Sequence, residues 1–187
     1  MSVWFFGDPH FDHENILWYC NRPFPNVVSM NETIIERYFQ RVRKGDTVYF
    51  LGDMSFGRGS HPARYWLSEL QRNESWARFY YIKGSHDNKI RETSIGLDCV
   101  DVSQSKVISV EGKKIGTHQV LLIHDPNQAP SNWDGWVIHG HNHNYAPRID
   151  LERKRINVSL DVTNFQPIHI SYIQGILFEF GGCNESK

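Results

Sequence analysis

Five short apolar runs divide this chain, and each one stops at Asp, at His, or at a glycine that precedes them. The runs cover residues 3–6, 47–51, 78–82, 118–123 and 136–138. In sheets of the α/β type, ligands bind in the crevice outside the carboxyl ends of the strands. The pattern therefore predicts an α/β domain whose strand ends form one polar site.

The last of these runs leads into three histidines at alternate positions, His139, His141 and His143. Side chains alternate along a strand, so His141 and His143 would face the same side where the strand stops. Gly140 would let the backbone turn closely around a bound group. Taken alone, the stretch fits an exposed loop equally well. His139 is either a partner that orients a ligand or a core histidine bonded to the backbone.

The other elements follow from periodicity and from helix start and stop residues. We expect, in chain order, a helix over 14–20, a helix opened by the capping box Ser29–Glu32 and ending near Arg43, a helix over 61–72 with Tyr65, Trp66 and Leu70 inward, antiparallel strands over 97–102 and 106–110, a strand over 156–160, and a strand or short helix over 167–180.

Composition narrows the class of protein. The 187 residues predict a single domain over 1–187, with 182–187 as a loose tail. The three cysteines are odd in number and lack a CxxC spacing, as in a reducing compartment. The first apolar run is too short for a signal peptide and no run reaches membrane-spanning length, so we expect a cytoplasmic protein without membrane association. A formal charge of −1 gives no general attraction to nucleic acid.

The residues at the strand ends have the chemistry of metal ligands. They are Asp8, His10, Asp53, His86, His124, His141 and His143. Any one of them could be a helix cap or a satisfied core histidine, but seven at five equivalent positions favour a common site. Mixed carboxylates and imidazoles suit Mn²⁺, Fe²⁺, Zn²⁺, Co²⁺ or Ni²⁺. The set exceeds the needs of one ion, and two ions about 3.5–4 Å apart that share a carboxylate would use it.

The ordered set Asp8-x-His10, Gly52-Asp53, Gly84-Ser85-His86-Asp87, His124 and Gly140-His141-Asn142-His143 resembles the signature of calcineurin-like metallophosphoesterases. The match spans residues 8–143 and is most similar to small bacterial, archaeal and phage-type members. The resemblance implies a four-layer α/β/β/α sandwich of two mixed β-sheets flanked by helices. The run pattern by itself indicates only α/β.

The resemblance also implies a ligand set. Asp8, His10 and His143 would hold one metal, Asp53 would bridge, and His124, His141 and the residue before His86 would hold the second. Two divalent ions, with manganese first in preference, would be the cofactors. The family usually has Asn before His86, whereas this chain has Ser85. Ser85 could reach the ion through water, could leave the second site weak, or could be an introduced change.

The implied chemistry is attack on phosphorus by a metal-bridging hydroxide. His86 would protonate the departing oxygen as general acid. Asp87 would either orient His86 or cap a helix near Asn88. His13 could contact phosphate or begin a helix.

Two arginines could contact the phosphate of a substrate. Arg58 is the stronger candidate because it lies in a Gly-Arg-Gly sequence and its guanidinium matches the geometry of phosphate oxygens. Arg22 is a weaker candidate.

The small size favours a phosphodiesterase over a phosphomonoesterase, with a small substrate such as a cyclic nucleotide or aryl diester. Four aromatic residues could stack on that substrate or belong to the core: Phe11, Trp133, Trp136 and Tyr145. Two alternatives are a non-catalytic or weakly active scaffold on the same fold and a metal-dependent nuclease. The basic clusters at 113–114 and 153–155 are small for tracking a phosphate backbone, which disfavours nucleic acid.

Overall fold

The computed structural model describes residues 1–56, 59–72, 76–87, 100–111 and 117–180. Its first sheet contains β1 (Val3–Phe6), β2 (Thr47–Phe50), β3 (Arg78–Ile82) and β4 (Val100–Ser103), all parallel in this order. The short strand β10 (Ile168–His169) pairs antiparallel with β1 at the edge. The sheet is therefore mixed, and four of its strands point their carboxyl ends in one direction.

The second sheet also has five strands. They are β5 (Ser105–Glu111), β6 (Thr117–Ile123), β7 (Trp136–His139), β8 (Ile149–Asp150) and β9 (Arg155–Asn157). Their spatial order is β5-β6-β7-β9-β8, with β6, β7 and β9 parallel and the two edge strands antiparallel to their neighbours. Two mixed sheets flanked by helices are thus confirmed.

The predicted pairing of the strands near 97–102 and 106–110 is wrong. β4 pairs with β3 in the first sheet, and β5 pairs with β6 in the second. The chain crosses between the sheets at residue 104, so these neighbours in sequence face different partners. The turn expected at 112–114 lies outside the described residues.

In the part of the chain that the structure describes, four helices accompany the sheets: α1 (Ile16–Tyr19), α2 (Val27–Arg41), α3 (Ala63–Leu70) and α4 (Ile170–Phe180). The 167–180 segment contains both predicted alternatives, since β10 precedes α4. The 156–160 strand ends earlier, at Asn157, and a short 3₁₀ turn follows at Leu160–Val162. No helix among the described residues has the length and apolar character needed to cross a membrane.

Helix α2 begins before the predicted capping box. Asn26 has an extended backbone, and its side chain accepts a hydrogen bond from the Ser29 backbone N–H at 2.9 Å. Asn26 is therefore the N-cap, and Ser29 falls inside the first turn. In α3, Trp66, Leu67 and Leu70 are buried, whereas Tyr65 is 40% exposed. The prediction of an inward Tyr65 is wrong because it lies beside this face.

Alternation along the strands of the first sheet separates two cores. One face packs against α2 and α3, and the other packs against the second sheet. The first core includes Phe6, Phe50, Phe79, Tyr38 and Leu67, and the second includes Phe5, Leu51, Leu122, Ile138 and Ile173 of α4. Both sheets are thereby held rigidly, and the loops after β1, β2, β3, β6 and β7 emerge from a fixed frame.

Candidate metal centre

Backbone hydrogen bonds join the loops that follow the central strands. The Asp8 N–H donates to the Gly52 carbonyl at 2.9 Å, and the Gly140 N–H donates to the His124 carbonyl at 3.1 Å. The His10 N–H donates to the Asp53 carbonyl at 3.2 Å. The Gly7 N–H donates to the Val158 carbonyl at 3.1 Å, which joins the end of β1 in the first sheet to the end of β9 in the second, so the loops of both sheets meet at one edge of the sandwich.

The polar residues of these loops have an uncommon backbone conformation. Five non-glycine residues of the predicted ligand set have positive φ angles: Asp8 (58°), His10 (48°), Asp53 (58°), His141 (67°) and His143 (47°). Such angles are rare for residues with a Cβ and are maintained only when the surrounding structure imposes them. The fold thus turns these side chains toward one another at a conformational cost.

Two glycines leave the space that the carboxylates occupy. A Cβ at Gly84 would lie 2.1 Å from Asp53 Oδ1, and a Cβ at Gly140 would lie 2.6 Å from Asp8 Oδ2. Neither position can accept a side chain unless the carboxylate moves. The glycines of the two motifs are therefore required by close approach.

Asp53 lies at the centre of the cluster. Its Oδ1 accepts a hydrogen bond from the His86 backbone N–H at 2.8 Å. Its Oδ2 lies 3.3 Å from His124 Nε2 and 3.6 Å from His10 Nε2. The Ser85 hydroxyl donates to the same oxygen at 3.2 Å. One carboxylate oxygen thus faces donors from three loops, which is the geometry that a bridging ligand requires.

Asp8 forms the second anionic point. Its carboxylate accepts the His141 backbone N–H at 3.0 Å and the Ser159 hydroxyl at 2.5 Å. Two sets of ligand atoms within 4.8 Å of one another include it: Asp8, His10 and His143, and Asp8, Asp53 and His124. The structure therefore brings together the residues expected at the first metal and at the bridge.

The His10 imidazole indicates a cation site. Both of its ring nitrogens are buried, and neither has a hydrogen-bond partner within the described residues. Burial lowers the pKa of this imidazole well below its usual value, so the ring is a neutral electron-pair donor. A buried polar atom left without a partner is costly, and a metal ion would satisfy it. The donor set fits a divalent ion.

Two other histidines are oriented through Nδ1. His124 Nδ1 lies 2.6 Å from the Leu51 carbonyl, to which it donates, and His143 Nδ1 lies 2.7 Å from Asp161 Oδ2. Each ring then directs Nε2 inward as a potential ligand. His141 Nδ1 lies 3.2 Å from His124 Nε2, which places the predicted ligands of the second metal together.

The site has a negative potential. Burial lowers the pKa of His124 and of His143, but hydrogen bonds to Asp53 and Asp161 outweigh it and raise these pKa values to about 9 and about 10. A site that holds protons so firmly also attracts a metal cation.

Asp161 is a site residue that the sequence analysis missed. Its carboxylate binds His143 on one side and the Arg22 guanidinium, at 2.8 Å, on the other. Burial raises the pKa of Asp161, but the His143 hydrogen bond and the Arg22 charge outweigh burial and lower the pKa to about 2. The signal was present, because Asp161 directly follows the apolar run 156–160, as the other ligands follow theirs.

Arg22 belongs to the same buried network. Besides Asp161, its guanidinium donates to the carbonyls of Asp8 and Pro9, each at 2.8 Å. These bonds fix the loop after β1. The described hydrogen bonds of Arg22 all go to protein atoms, and its contact with substrate stays a prediction.

His86 and Asp87 have different surroundings. His86 is partly exposed at the mouth of the cluster, with Nε2 3.9 Å from Asp53 Oδ2. Asp87 is buried and accepts the backbone N–H groups of Asp53 (2.7 Å) and Gly84 (2.9 Å). The helix expected near Asn88 lies outside the described residues, and the catalytic roles of the pair stay predictions.

The remaining candidates are scattered. His13 lies beside the cluster, its ring 5.5 Å from that of His10. Arg58 lies outside the described residues.

Phe11 and Trp136 are buried in the core, so of the four aromatic candidates only Tyr145 is largely exposed. His139 is a core histidine whose Nδ1 bonds the Gly140 carbonyl at 2.7 Å, and burial lowers its pKa to about 4.

A cluster of Asp and His side chains around Asp53, at the strand ends of a double sheet, is the kind of arrangement that metal-dependent phosphoesterases use. Comparison with known proteins agrees. The chain belongs to the calcineurin-like phosphoesterase family, whose model matches residues 1–160. The family resemblance of the sequence is thus confirmed.

Individual relatives support the same placement. The chain is 38% identical over 177 residues to protein MJ1445 of Methanocaldococcus jannaschii, which covers 92% of this chain and 89% of that protein. It is 27% identical over 187 residues to the gene 66 protein of Mycobacterium phage L5, with 86% of each chain covered. Protein AQ665 of Aquifex aeolicus has the same fold, with a TM-score of 0.66 at 22% identity over 94% of this chain and 98% of that one.

Proposed function

We propose that the protein is a phosphodiesterase that uses two divalent metal ions, with manganese the first expectation. The observation that carries this proposal is the arrangement around Asp53 Oδ2, together with the two buried nitrogens of His10 that accept or donate no hydrogen bond within the described residues. Asp8, His10 and His143 would hold one ion and Asp53 both, with His124, His141 and Ser85 at the second.

Bound divalent ions supply charge neutralisation and lower the pKa of water. The residues of the chain provide the remaining functions. Asp8 and Asp53 face the phosphate site with fixed carboxylates, and the sandwich excludes water from behind them. His86 is partly exposed and its Nε2 faces the cluster, so it would hold the proton that the departing oxygen takes. Asp87 would hold the loop that carries His86 in place by accepting the backbone N–H groups of Asp53 and Gly84.

The substrate would be a small phosphoester. His13 lies next to His10 and has a buried Nδ1 without a partner within the described residues, which leaves it a donor for a phosphate oxygen. Arg58 remains our second proposed phosphate contact. In the basic stretch 153–155, Arg153 already binds Asp150 at 3.0 Å, so part of its positive charge is paired within the protein. This supports a small substrate over nucleic acid.

The test combines metal analysis with a hydrolysis screen. The purified chain is loaded with Mn, Fe, Zn, Ni or Co and assayed on phosphomonoesters, phosphodiesters, cyclic phosphodiesters, and single- and double-stranded DNA, with His86→Ala as the matched variant. We expect metal retention in both proteins, diester hydrolysis by the wild type, and a loss of about 10²–10⁴-fold in kcat for His86→Ala. A chain that binds no metal would be a scaffold, and one that cuts only DNA would be a nuclease.

A further inference from the structure

Three exposed aromatic residues border the metal centre: Tyr19, Phe56 and Tyr145, which we call the aromatic rim. Their exposures are 60%, 41% and 75%. Large exposed rings collected at one place on a protein surface mark an interaction site.

The rim is continuous with the catalytic groups. The Phe56 ring lies 4.0 Å from the His86 ring and 4.9 Å from the His13 ring, centroid to centroid. His13 in turn lies 6.1 Å from Tyr19. The rings therefore extend outward from the proposed general acid, along the side of the cluster where His10 lies.

Hydrogen bonds fix the far end of the rim. The Tyr145 hydroxyl donates to the Tyr19 carbonyl, and the Asn144 side chain donates to the Cys20 carbonyl at 2.8 Å. Asn144 and Tyr145 directly follow the ligand His143 in a short 3₁₀ turn. The rim is thus tied to the centre at both ends, through the proposed general acid His86 and through the proposed ligand His143, and this holds its rings in place before substrate binds.

We propose that the rim stacks the base of a nucleotide diester whose phosphate lies at the metal centre. This inference rests on the proposed function, and it names the substrate class of that site. Flat rings fit this surface because every nucleobase has a π-face that stacks on aromatic side chains without requiring a particular sequence. An alkyl diester would reach the metals equally well but would leave the rim uncovered.

The experiment compares two esters with the same leaving group. One is the 2,2,2-trifluoroethyl ester of thymidine 5′-phosphate and the other is methyl 2,2,2-trifluoroethyl phosphate, both without an aromatic leaving group and both assayed with the manganese-loaded full chain. We expect Tyr19→Leu and Tyr145→Leu to raise KM for the thymidine ester roughly tenfold, since one stacked ring is removed, with little change in kcat. The methyl ester should be unaffected, and Tyr19→Phe, which keeps a ring, should restore KM.

Phe178→Leu is the matched control, since Phe178 is an exposed ring on α4, 45% accessible. A binding titration with thymidine 5′-phosphate against ribose 5-phosphate gives a readout without catalysis. Equal KM changes for both esters, or none in the rim variants, would overturn the inference and leave the proposed function intact. If no ester is hydrolysed by the metal-loaded chain, the proposed function fails. The binding titration then tests the rim alone, and a preference for thymidine 5′-phosphate that the rim variants lose would support base stacking.

Discussion

At the scale of single residues, the cluster departs from its family in one ligand. Ser85 stands where the family resemblance of the sequence leads us to expect Asn, and its hydroxyl donates to Asp53 Oδ2 at 3.2 Å. A hydroxyl offers a smaller and weaker donor to a metal than an amide oxygen, and this one is already directed to the bridging carboxylate. The second metal should therefore be the weaker of the two.

Ser85→Asn tests this. An amide oxygen at this position would reach further and would not compete for Asp53, so we expect more metal retained after dialysis against a chelator, and a higher rate at limiting metal. Metal content per chain is measured by elemental analysis, with Ser109→Asn on β5 as the control. Unchanged content and rate would show that the hydroxyl is an adequate ligand.

Asp161 would act on the proposed metal through His143, because it holds His143 Nδ1 while the same ring offers a ligand atom close to those of Asp8 and His10. Replacement of such an outer partner commonly costs 10–100-fold in metal affinity, so we expect a loss of roughly that size for Asp161→Asn. Affinity is measured by chelator competition. Asp150→Asn, which removes an exposed partner of Arg153, should leave affinity unchanged. Equal affinities in the two variants would contradict the role of Asp161.

At the scale of elements, the loops after β2 and β3 are held together by one buried carboxylate. Asp87 accepts the N–H groups of Asp53 and Gly84, so it fixes the bridging ligand through its backbone. The proximity of the two loops follows from the parallel pairing of their strands. Their exact separation depends on this acceptor.

Asp87→Ala leaves both N–H groups without that acceptor. Each unsatisfied buried donor costs about 1–3 kcal/mol, so we expect the free energy of unfolding of the metal-free protein to fall by about 2–6 kcal/mol. Urea denaturation measures this, with Asp101→Ala, an exposed partner of Lys106, as the control. A variant as stable as the control would mean that water replaces the carboxylate.

At the scale of the whole molecule, the sequence predicted where strands end better than it predicted which strands pair with each other in a sheet. The runs before Gly7, Gly52, Gly84 and Gly140 end within one residue of the predicted positions, because burial and turn chemistry are local. The separation of β4 from β5 could not be read in this way, since it depends on which distant strand each one meets. Asp161 was missed for a related reason, because its partners Arg22 and His143 are remote in sequence.

Long-range contacts of this kind also set the acid stability of the fold. Asp46 is buried at the start of β2, where its carboxylate accepts N–H groups from Ser2 (2.7 Å), Arg43 (3.0 Å) and the Trp4 indole (3.0 Å). It thereby joins the N-terminal strand, the end of α2 and the second strand. Burial raises the pKa of Asp46, but these hydrogen bonds outweigh it and lower the pKa below its usual value.

A folded-state pKa below that of the unfolded chain means that ionised Asp46 stabilises the fold above about pH 4, and that this contribution is lost as the pH falls through the folded value. Asp46→Asn should therefore be less stable than the wild type at pH 7, and the difference should shrink in acid. Urea unfolding at a series of pH values down to about 3 measures both proteins, and Asp134→Asn serves as the control. Other carboxylates change with pH in both chains and cancel in the comparison, so a difference that stays constant with pH would refute the role of this anchor.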